Sequence, residues 1–351
     1  MKIGLVRPGS GIAGIWAPAL DASAILAAAE INVAGGVLGE EVDLVFCDCG
    51  FTPDEAVAAV DMLMDVEGSD AIVGAHPSHL RDPITRRIFN KAPYIYTPQY
   101  EGVACGPSTV AIGNTDEELL GPALQWFHEV KGAERYFFVG NDYIWPHMAA
   151  RVARRLIRRQ GSQLVGEAFV PNHSDQQFGI LKTIAKSGAQ VVIQALVGQC
   201  AIDFNRAFAT AGLDEKMLRF GLIVDETIIC GIGADASVNL FTASSYFTDR
   251  RSRSNDQFLE RYHDAFGENA PLVSAASVMF YEGLHVLAGL AQKLGTRKGF
   301  DLARFLHTPL SRPAAREALD DKPVGRLPSV LSQRGGRGQA QGDRNLGVVN
   351  N

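Results

Sequence analysis

Met1-Lys-Ile-Gly-Leu-Val-Arg7-Pro-Gly-Ser-Gly-Ile-Ala-Gly14 decides how the rest of the chain is read. Its first half has the near-continuous apolar pattern of a buried strand, and Pro8 to Gly14 follows as a glycine-rich turn. A strand that begins at the initiator has no basic n-region, apolar run or small-residue cleavage site ahead of it. The expectation drawn from this is a cytosolic protein.

Outward from that strand, short β-branched runs alternate with helical periods. The runs are Ile3–Val6, Val42–Phe46, Ala71–Val73, Tyr94–Tyr96, Tyr136–Val139, Val191–Gln194 and Phe220–Val224. Amphipathic stretches lie between them at Pro18–Val33, Pro53–Met64, Ser78–Asn90, Asp116–Val130, Trp145–Arg159, Gln177–Ser187 and Ile202–Ala211. Several open on the Pro, Ser or Asp that favour helix starts. This βαβα order predicts an α/β protein with parallel sheets covered by helices on both faces, and 351 residues suit two lobes better than one core. Ligands in such folds sit beyond the carboxyl ends of the strands, so the loops after strands are where function is sought.

Composition narrows the classes. Hydrophobic content of 46%, charged content of 21% and a net charge of −6 describe a soluble globular chain and argue against a general nucleic-acid binder. No uninterrupted apolar stretch reaches the length of a membrane span. Cys47, Cys49, Cys105, Cys200 and Cys230 form no C-x-x-C pair and read as ordinary small thiols rather than a metal site. No H-E-x-x-H, G-x-S-x-G or P-loop occurs, so neither an enzyme nor a cofactor is expected.

Gly9-Ser-Gly11-Ile-Ala-Gly14 matches the literal G-x-G-x-x-G of dinucleotide sites. That use requires an acidic residue about 20 positions later to hold the ribose. The second strand here ends only at Asp48, and the helix opens near Pro18, too late for Gly14 to lie in its first turn. The motif is therefore read as a turn rather than a nucleotide cradle.

Four other loops after strands form a more coherent set. His76-Pro-Ser78 follows the strand ending at Gly74, with Ser78 expected as a helix N-cap. Tyr96-Thr-Pro-Gln99-Tyr-Glu-Gly102, Asn141-Asp-Tyr143 and Asp225-Glu226 follow three further strands. Each alone has a structural explanation, whereas four in one topological position point to binding.

These residues resemble the type I periplasmic-binding-protein fold, and within it the urea and short-chain-amide branch. The carrying motifs are Glu30-Ile-Asn32-x-x-Gly35-Gly-Val-Leu-Gly39, Val73-Gly74-x-x-x-Ser78, Tyr96-x-x-x-Tyr100-Glu-Gly102 and Gly140-Asn-Asp-Tyr143-Ile-x-Pro146. The likeness covers about the first 295 residues. It implies two Rossmann-like lobes with a ligand cleft at the hinge, one from 1–115 plus 247–295 and the other from 116–246. It also implies Ser78, Tyr96, Tyr143, His76, Gln99, Gly198 and Asp225 as ligand-binding residues, with ligand-driven lobe closure.

With no leader visible, the resemblance implies a cytosolic small-amide sensor that regulates an amidase or nitrile hydratase operon through a protein partner, an antiterminator or a DNA-binding regulator. The alternative is the substrate-binding component of an ABC transporter for urea, short-chain amides or amino acids. His76, Gln199 and Asp225 depart from the amide pattern, which leaves the ligand open; self-association stays open as well. Residues 296–351 carry a net charge of +5, are Pro-, Arg- and Gly-rich after Ser311, and read as an atypical, disordered basic tail in which Gln333-Arg-Gly-Gly-Arg-Gly338 hints at an RGG segment. Arg151-Val-Ala-Arg-Arg-Leu-Ile-Arg-Arg159 reads as the solvated face of a helix, with regulator docking as the lesser reading.

Overall fold

In the computed structural model, which describes residues 1–171, 177–306, 330–334 and 349–350, the opening strand is an interior strand of a sheet. The first lobe starts with β1 (Lys2–Arg7), α1 (Ala17–Val33), β2 (Asp43–Asp48), α2 (Pro53–Asp61), β3 (Ala71–Gly74), α3 (Arg81–Ile88), β4 (Tyr94–Tyr96) and β5 (Thr109–Ala111). Its strands lie in the order β2-β1-β3-β4-β5, all parallel. Because β1 is paired on both sides and covered on both faces, Ile3, Leu5 and Val6 are fully buried, which is why the strand reads as one apolar run.

The second lobe repeats the plan. α4 (Asp116–Lys131), β6 (Arg135–Asn141), α5 (Ile144–Arg159), β7 (Gln163–Val170), α6 (Gln177–Ser187), β8 (Val191–Ala195), α7 (Gln199–Thr210), β9 (Leu218–Gly221), α8 (Glu226–Ile232) and β10 (Leu240–Ser244) give the parallel order β7-β6-β8-β9-β10. The chain then supplies the first lobe with α9 (Arg253–Phe266), α10 (Ala275–Leu294) and α11 (Gly299–Arg304). It returns to the second sheet through β11 (Val330–Arg334), antiparallel to β10, and β12 (Val349–Asn350), parallel to β11. One unit therefore contains Met1–Gly113 with the helices after Thr248, the other Asn114–Phe247 with the two last strands.

Local chemistry explains the helix starts. Thr52 and Thr115 open α2 and α4 with capping boxes, each hydroxyl accepting from the third residue's N–H while Glu55 or Glu118 reaches back. α1 is apolar nearly all round, as expected of a helix buried in a core, and it packs along α10. Together with the turn before it, Gly11–Val33 is long and apolar enough to span a membrane by length and composition, although Asp21 and Glu30 interrupt its apolar run. About 56% of its most apolar window is buried, and the β1 that precedes it is interior to the sheet, so this segment is a structural part of the lobe.

Other differences have local causes. β5, β7 and β10 were not expected; β5 has only three residues, too few to show a period. The run Phe220–Val224 gives up its end at Gly221, where the chain turns through Leu222 and Ile223. The π-turn Met62–Val66 replaces the last turn expected of α2. The tail is not wholly structureless: Gly299–Arg304 is helical, and Val330–Arg334 is a strand containing Gln333 and Arg334 of the RGG-like motif, whose remaining residues lie outside the described ones. All five cysteines are free, and Cys230 is exposed rather than buried.

Candidate functional site

In both sheets the connections leave the first strand in opposite directions, toward β2 and β3 in one lobe and toward β7 and β8 in the other. Such switch points open a crevice outside the carboxyl ends of the strands. In the first lobe this brings the loop after β1 next to the loop after β3. The G-x-G turn is held by Asp48, which accepts the Gly9 N–H at 2.9 Å and the Ser10 hydroxyl at 2.8 Å. The acid that a dinucleotide site would present to a ribose is thus engaged by the turn itself. Arg7, at the end of β1, is paired with Asp21 at 2.7 Å.

The loop after β3 carries a buried polar cluster. Only a glycine at 74 leaves room for it, since a Cβ there would lie 2.8 Å from the Tyr94 ring and 2.9 Å from His76 Nε2. His76 donates from Nδ1 to the Pro77 carbonyl at 3.0 Å, which leaves Nε2 to accept the Tyr94 hydroxyl. Burial pushes the imidazole down to about 4, so it is neutral at pH 7. Tyr96, 1% exposed, donates its hydroxyl to the His76 carbonyl at 2.9 Å. Both ring nitrogens of His76 are therefore occupied within the protein.

Ser78 differs from expectation. It does not cap the helix: Pro77 holds the cap position, and Ser78 begins a short 3-10 turn, Ser78–Leu80, that leads into α3. Its hydroxyl is buried and has no hydrogen-bond partner. Three residues on, Arg81 lies against the Tyr96 and Tyr100 rings at 5.2 and 5.1 Å and is paired with Glu101. Burial acts to depress the Arg81 guanidinium, but Tyr96 and Glu101 hold it above its ordinary value. Arg81 Nη1 and Glu101 Oε2 are, like Ser78 Oγ, buried without partners. Gln99, in the same loop, is half-buried.

Sequence reasoning missed Arg81. A lone arginine at the start of an amphipathic helix is ordinary, and its partner Glu101, although inside the Tyr-Glu-Gly motif, lies 20 residues away in sequence.

The second lobe places its set differently. Asn141, fully buried at the end of β6, accepts the Val197 N–H at 2.7 Å and so ties the loop after β6 to the loop after β8. Tyr143 occupies the cap position of α5 in extended conformation, half-buried, with its ring 6.2 Å from that of Trp145. Trp145 Nε1 donates to the buried Asp116 at 2.9 Å, which fixes the start of the helix. Gly198 precedes α7 at φ +53° and ψ −125°, a conformation that a residue with a Cβ adopts only under strain. Gln199 is exposed and donates to Asp203 at 2.8 Å. Asp225 caps α8, its carboxylate accepting the Ile228 N–H at 3.2 Å. Each lobe thus gathers its expected residues at one end of its own sheet, with Ser78 and Tyr96 in the first and Tyr143, Gly198 and Asp225 in the second.

Comparison with known proteins agrees with the two-lobe fold. Among solved structures, a solute-binding protein of an ABC transporter from Rhodopseudomonas palustris in complex with 4-hydroxybenzoate matches with a TM-score of 0.84 at 18% identity, over 95% of this chain and 92% of that one. Another from the HaA2 strain, in complex with p-hydroxybenzoic acid, gives 0.82 at 18% identity over 91% and 87%. The branched-chain amino acid transporter substrate-binding protein LivJ from Streptococcus pneumoniae, in complex with isoleucine, gives 0.77 at 16% identity over 91% and 92%. At such identities the likeness is one of fold. The family model described as "Periplasmic binding protein" matches residues 1–339, nearly the whole sequence, and the chain belongs to that family.

Proposed function

We propose that the protein is the solute-binding component of an ABC transporter and that its ligand is a small organic solute with a carboxylate or amide head on a compact apolar body. The observation that carries this reading is a run of buried, unbonded polar atoms after β3: the Ser78 hydroxyl and, three residues on, Nη1 of Arg81, which pairs with Glu101 and lies against two tyrosine rings. A buried hydroxyl without a partner costs about 1–3 kcal/mol, a penalty that a bound polar head removes. An arginine nitrogen and a carboxylate oxygen beside it can donate to and accept from such a head, while the rings exclude water.

The fold neighbours named above bind benzoates and an amino acid, which supports the transporter reading over the cytosolic amide-sensing regulator that the resemblance first implied. This reading puts the protein's work on the outer side of the cytoplasmic membrane, with membrane-embedded transporter subunits as partners, in place of the cytosolic expectation. Ser78 and Tyr96 are the contacts assigned in the first lobe, and Tyr143 is a separate candidate contact at the sheet end of the second. Gln99, Gly198 and Asp225 shape their loops, and His76 positions Tyr94 and Tyr96.

A thermal-shift titration with benzoate, 4-hydroxybenzoate, isoleucine, acetamide, benzamide and urea tests this. A ligand at 100 times its dissociation constant stabilises the folded protein by about 2.7 kcal/mol. Stabilisation by at least one carboxylate is expected; a response to amides alone returns the sensor reading, and silence throughout overturns the proposed ligand class. Ser78→Ala should weaken the responding ligand roughly tenfold, as loss of one hydrogen bond in a pocket predicts, while raising the melting temperature of the free protein because the unbonded hydroxyl is gone. Unaltered affinity removes Ser78 from the site.

A further inference from the structure

The arginine run on α5 is not absorbed by solute binding. Its helix buries Ala149, Ala150, Val152, Ala153 and Ile157 and exposes all five arginines. Two of them clamp the helix sideways: Arg154 grips both oxygens of Glu167 on β7 at 2.6 Å, and Arg155 pairs with Glu117 on α4 at 2.8 Å. Arg151 and Arg158, two turns apart on the outer stripe between these clamps, and Arg159 at the helix end have no carboxylate partner among the described residues. They form a cationic strip on a protein of net charge −6.

Beside the strip lies a groove. β7 is the edge of its sheet among the described residues, so one side of its backbone is unpaired. The pairing with β6 slips between Tyr136 and Phe137: Leu164 faces Tyr136, Gly166 faces Phe137, and Val165 is left over. Such a bulge bends an edge strand. A cavity of about 430 Å³ opens there between the last turns of α5 and β7, lined by Arg154, Ile157, Arg158, Ser162, Leu164 and Val165 among others. Helix and strand run alongside each other in register, as the stacking of His147 on Phe169 at 3.8 Å shows at the far end.

We propose that this groove docks an extended, acidic segment of a partner protein. The segment lays its backbone along the free edge of β7, as a strand added to a sheet does, sets an apolar side chain against the half-buried Leu164 and Val165, and turns its carboxylates to Arg158 and Arg151. Free backbone groups supply affinity, and the unpaired guanidinium groups select for negative charge. The proposal is independent of which solute the protein takes.

The test uses the full-length protein and fluorescein-labelled octapeptides in fluorescence anisotropy. The alternating Glu-Val peptide should bind with micromolar affinity, weaken several-fold between 50 and 200 mM salt, and lose at least tenfold in affinity to the R151E/R158E variant, whose melting temperature should equal that of the parent. The Lys-Val peptide should not bind, and backbone N-methylation of the acidic peptide should remove most of its binding. Absence of binding by the acidic peptide up to 1 mM, or equal affinity for the variant, overturns the proposal. So does equal binding of the N-methylated peptide, which would leave charge attraction without strand addition. Heparin or duplex DNA binding in place of the peptide would make the strip a polyanion surface, and self-association lost in the variant would make it an interface between copies.

Discussion

The two lobes share one topology, β2-β1-β3-β4-β5 against β7-β6-β8-β9-β10, yet they bury charge in opposite ways. The first lobe uses ionised pairs. Glu30 on α1 accepts from Arg261 on α9 at 2.6 Å and from the Tyr281 hydroxyl on α10, with His285 at 3.4 Å, so one carboxylate joins three helices. The Arg81–Glu101 pair does the same between α3 and the loop after β4. In the second lobe Arg219, fully buried on β9, has no ion pair among the described residues, with Asp214 acting on it only at longer range; it donates to Asn205 Oδ1 at 2.7 Å and to the Ala236 and Val238 carbonyls at 2.9 and 2.5 Å, and lies 4.9 Å from the Phe208 ring. Burial pulls this guanidinium down to about 10. Asn205 in turn exchanges hydrogen bonds with Gln194 on β8. Identical strand orders are thus compatible with an acid-sensitive network in one lobe and a network of neutral acceptors in the other, because topology is set by apolar burial and leaves the pairing of polar groups free.

The largest expected effect breaks the second network. Arg219→Ala removes the donors to three acceptors in a dry interior and should destabilise the second lobe by about 3–5 kcal/mol, read by denaturant unfolding. Amide exchange should show the loss in peptides from β8 and β9 and not in those from β1 and β3; a uniform loss would mean that the lobes unfold as one unit. Next in size is Gly198→Ala. The loop after β8 passes through φ +53°, whereas its counterpart after β3 passes through Pro77 at φ −55°, so the need for a positive φ at the residue before the helical turn belongs to the second-lobe loop of this pair. A cost of about 1–3 kcal/mol in thermal unfolding is expected.

Acid should act on the first lobe. In Glu30 burial works to raise the carboxyl, but the bonds from His285, Tyr281 and Arg261 outweigh it and hold the pKa at about 2, against 4.5 unfolded. This contribution is complete above pH 4.5 and is lost as pH falls toward 2. His76, near 4 folded and 6.5 unfolded, is stabilising only while neutral, so its share is complete above pH 6.5 and is lost between 6.5 and 4. Both groups bind more protons unfolded, and stability falls with pH through both windows. For Glu30, partly open to water, the loss amounts to about 1–2 kcal/mol. Exchange rates in α1 and α10 should therefore rise before those in β8 and β9 as pH is lowered from 7 to 3, and Glu30→Gln should flatten the lower part of that profile. Simultaneous loss in both lobes would sink the contrast.

Legibility in the sequence followed the range of the interactions. α6 and β4 were readable to the residue, and Ser78, Tyr143, Gly198 and Asp225 lie after strands as expected, with Tyr96 the last residue of its strand, because position in a βαβ unit is a local property. Five strands went unseen: Thr109–Ala111 is too short for a period, Gln163–Val170 and Leu240–Ser244 depend on their neighbours to declare them, and Val330–Arg334 and Val349–Asn350 lie in the stretch read as a disordered tail. The role of Ser78 was misread because cap and first turn differ by one residue of backbone geometry.

By itself the sequence determined the α/β class, the two-lobe plan and the family resemblance, since alternating periods and glycine-bearing turns are written along the chain. Only the tertiary structure decided that Asp48 is engaged by the G-x-G turn, that His76 is occupied on both nitrogens while Ser78 is on neither side bonded, and that Arg81 meets Glu101. It also decided which of the arginines on α5 are neutralised and which are left over. Each of these depends on atoms brought together from distant positions. Whether a buried polar group is satisfied is a property of its surroundings and not of its residue type.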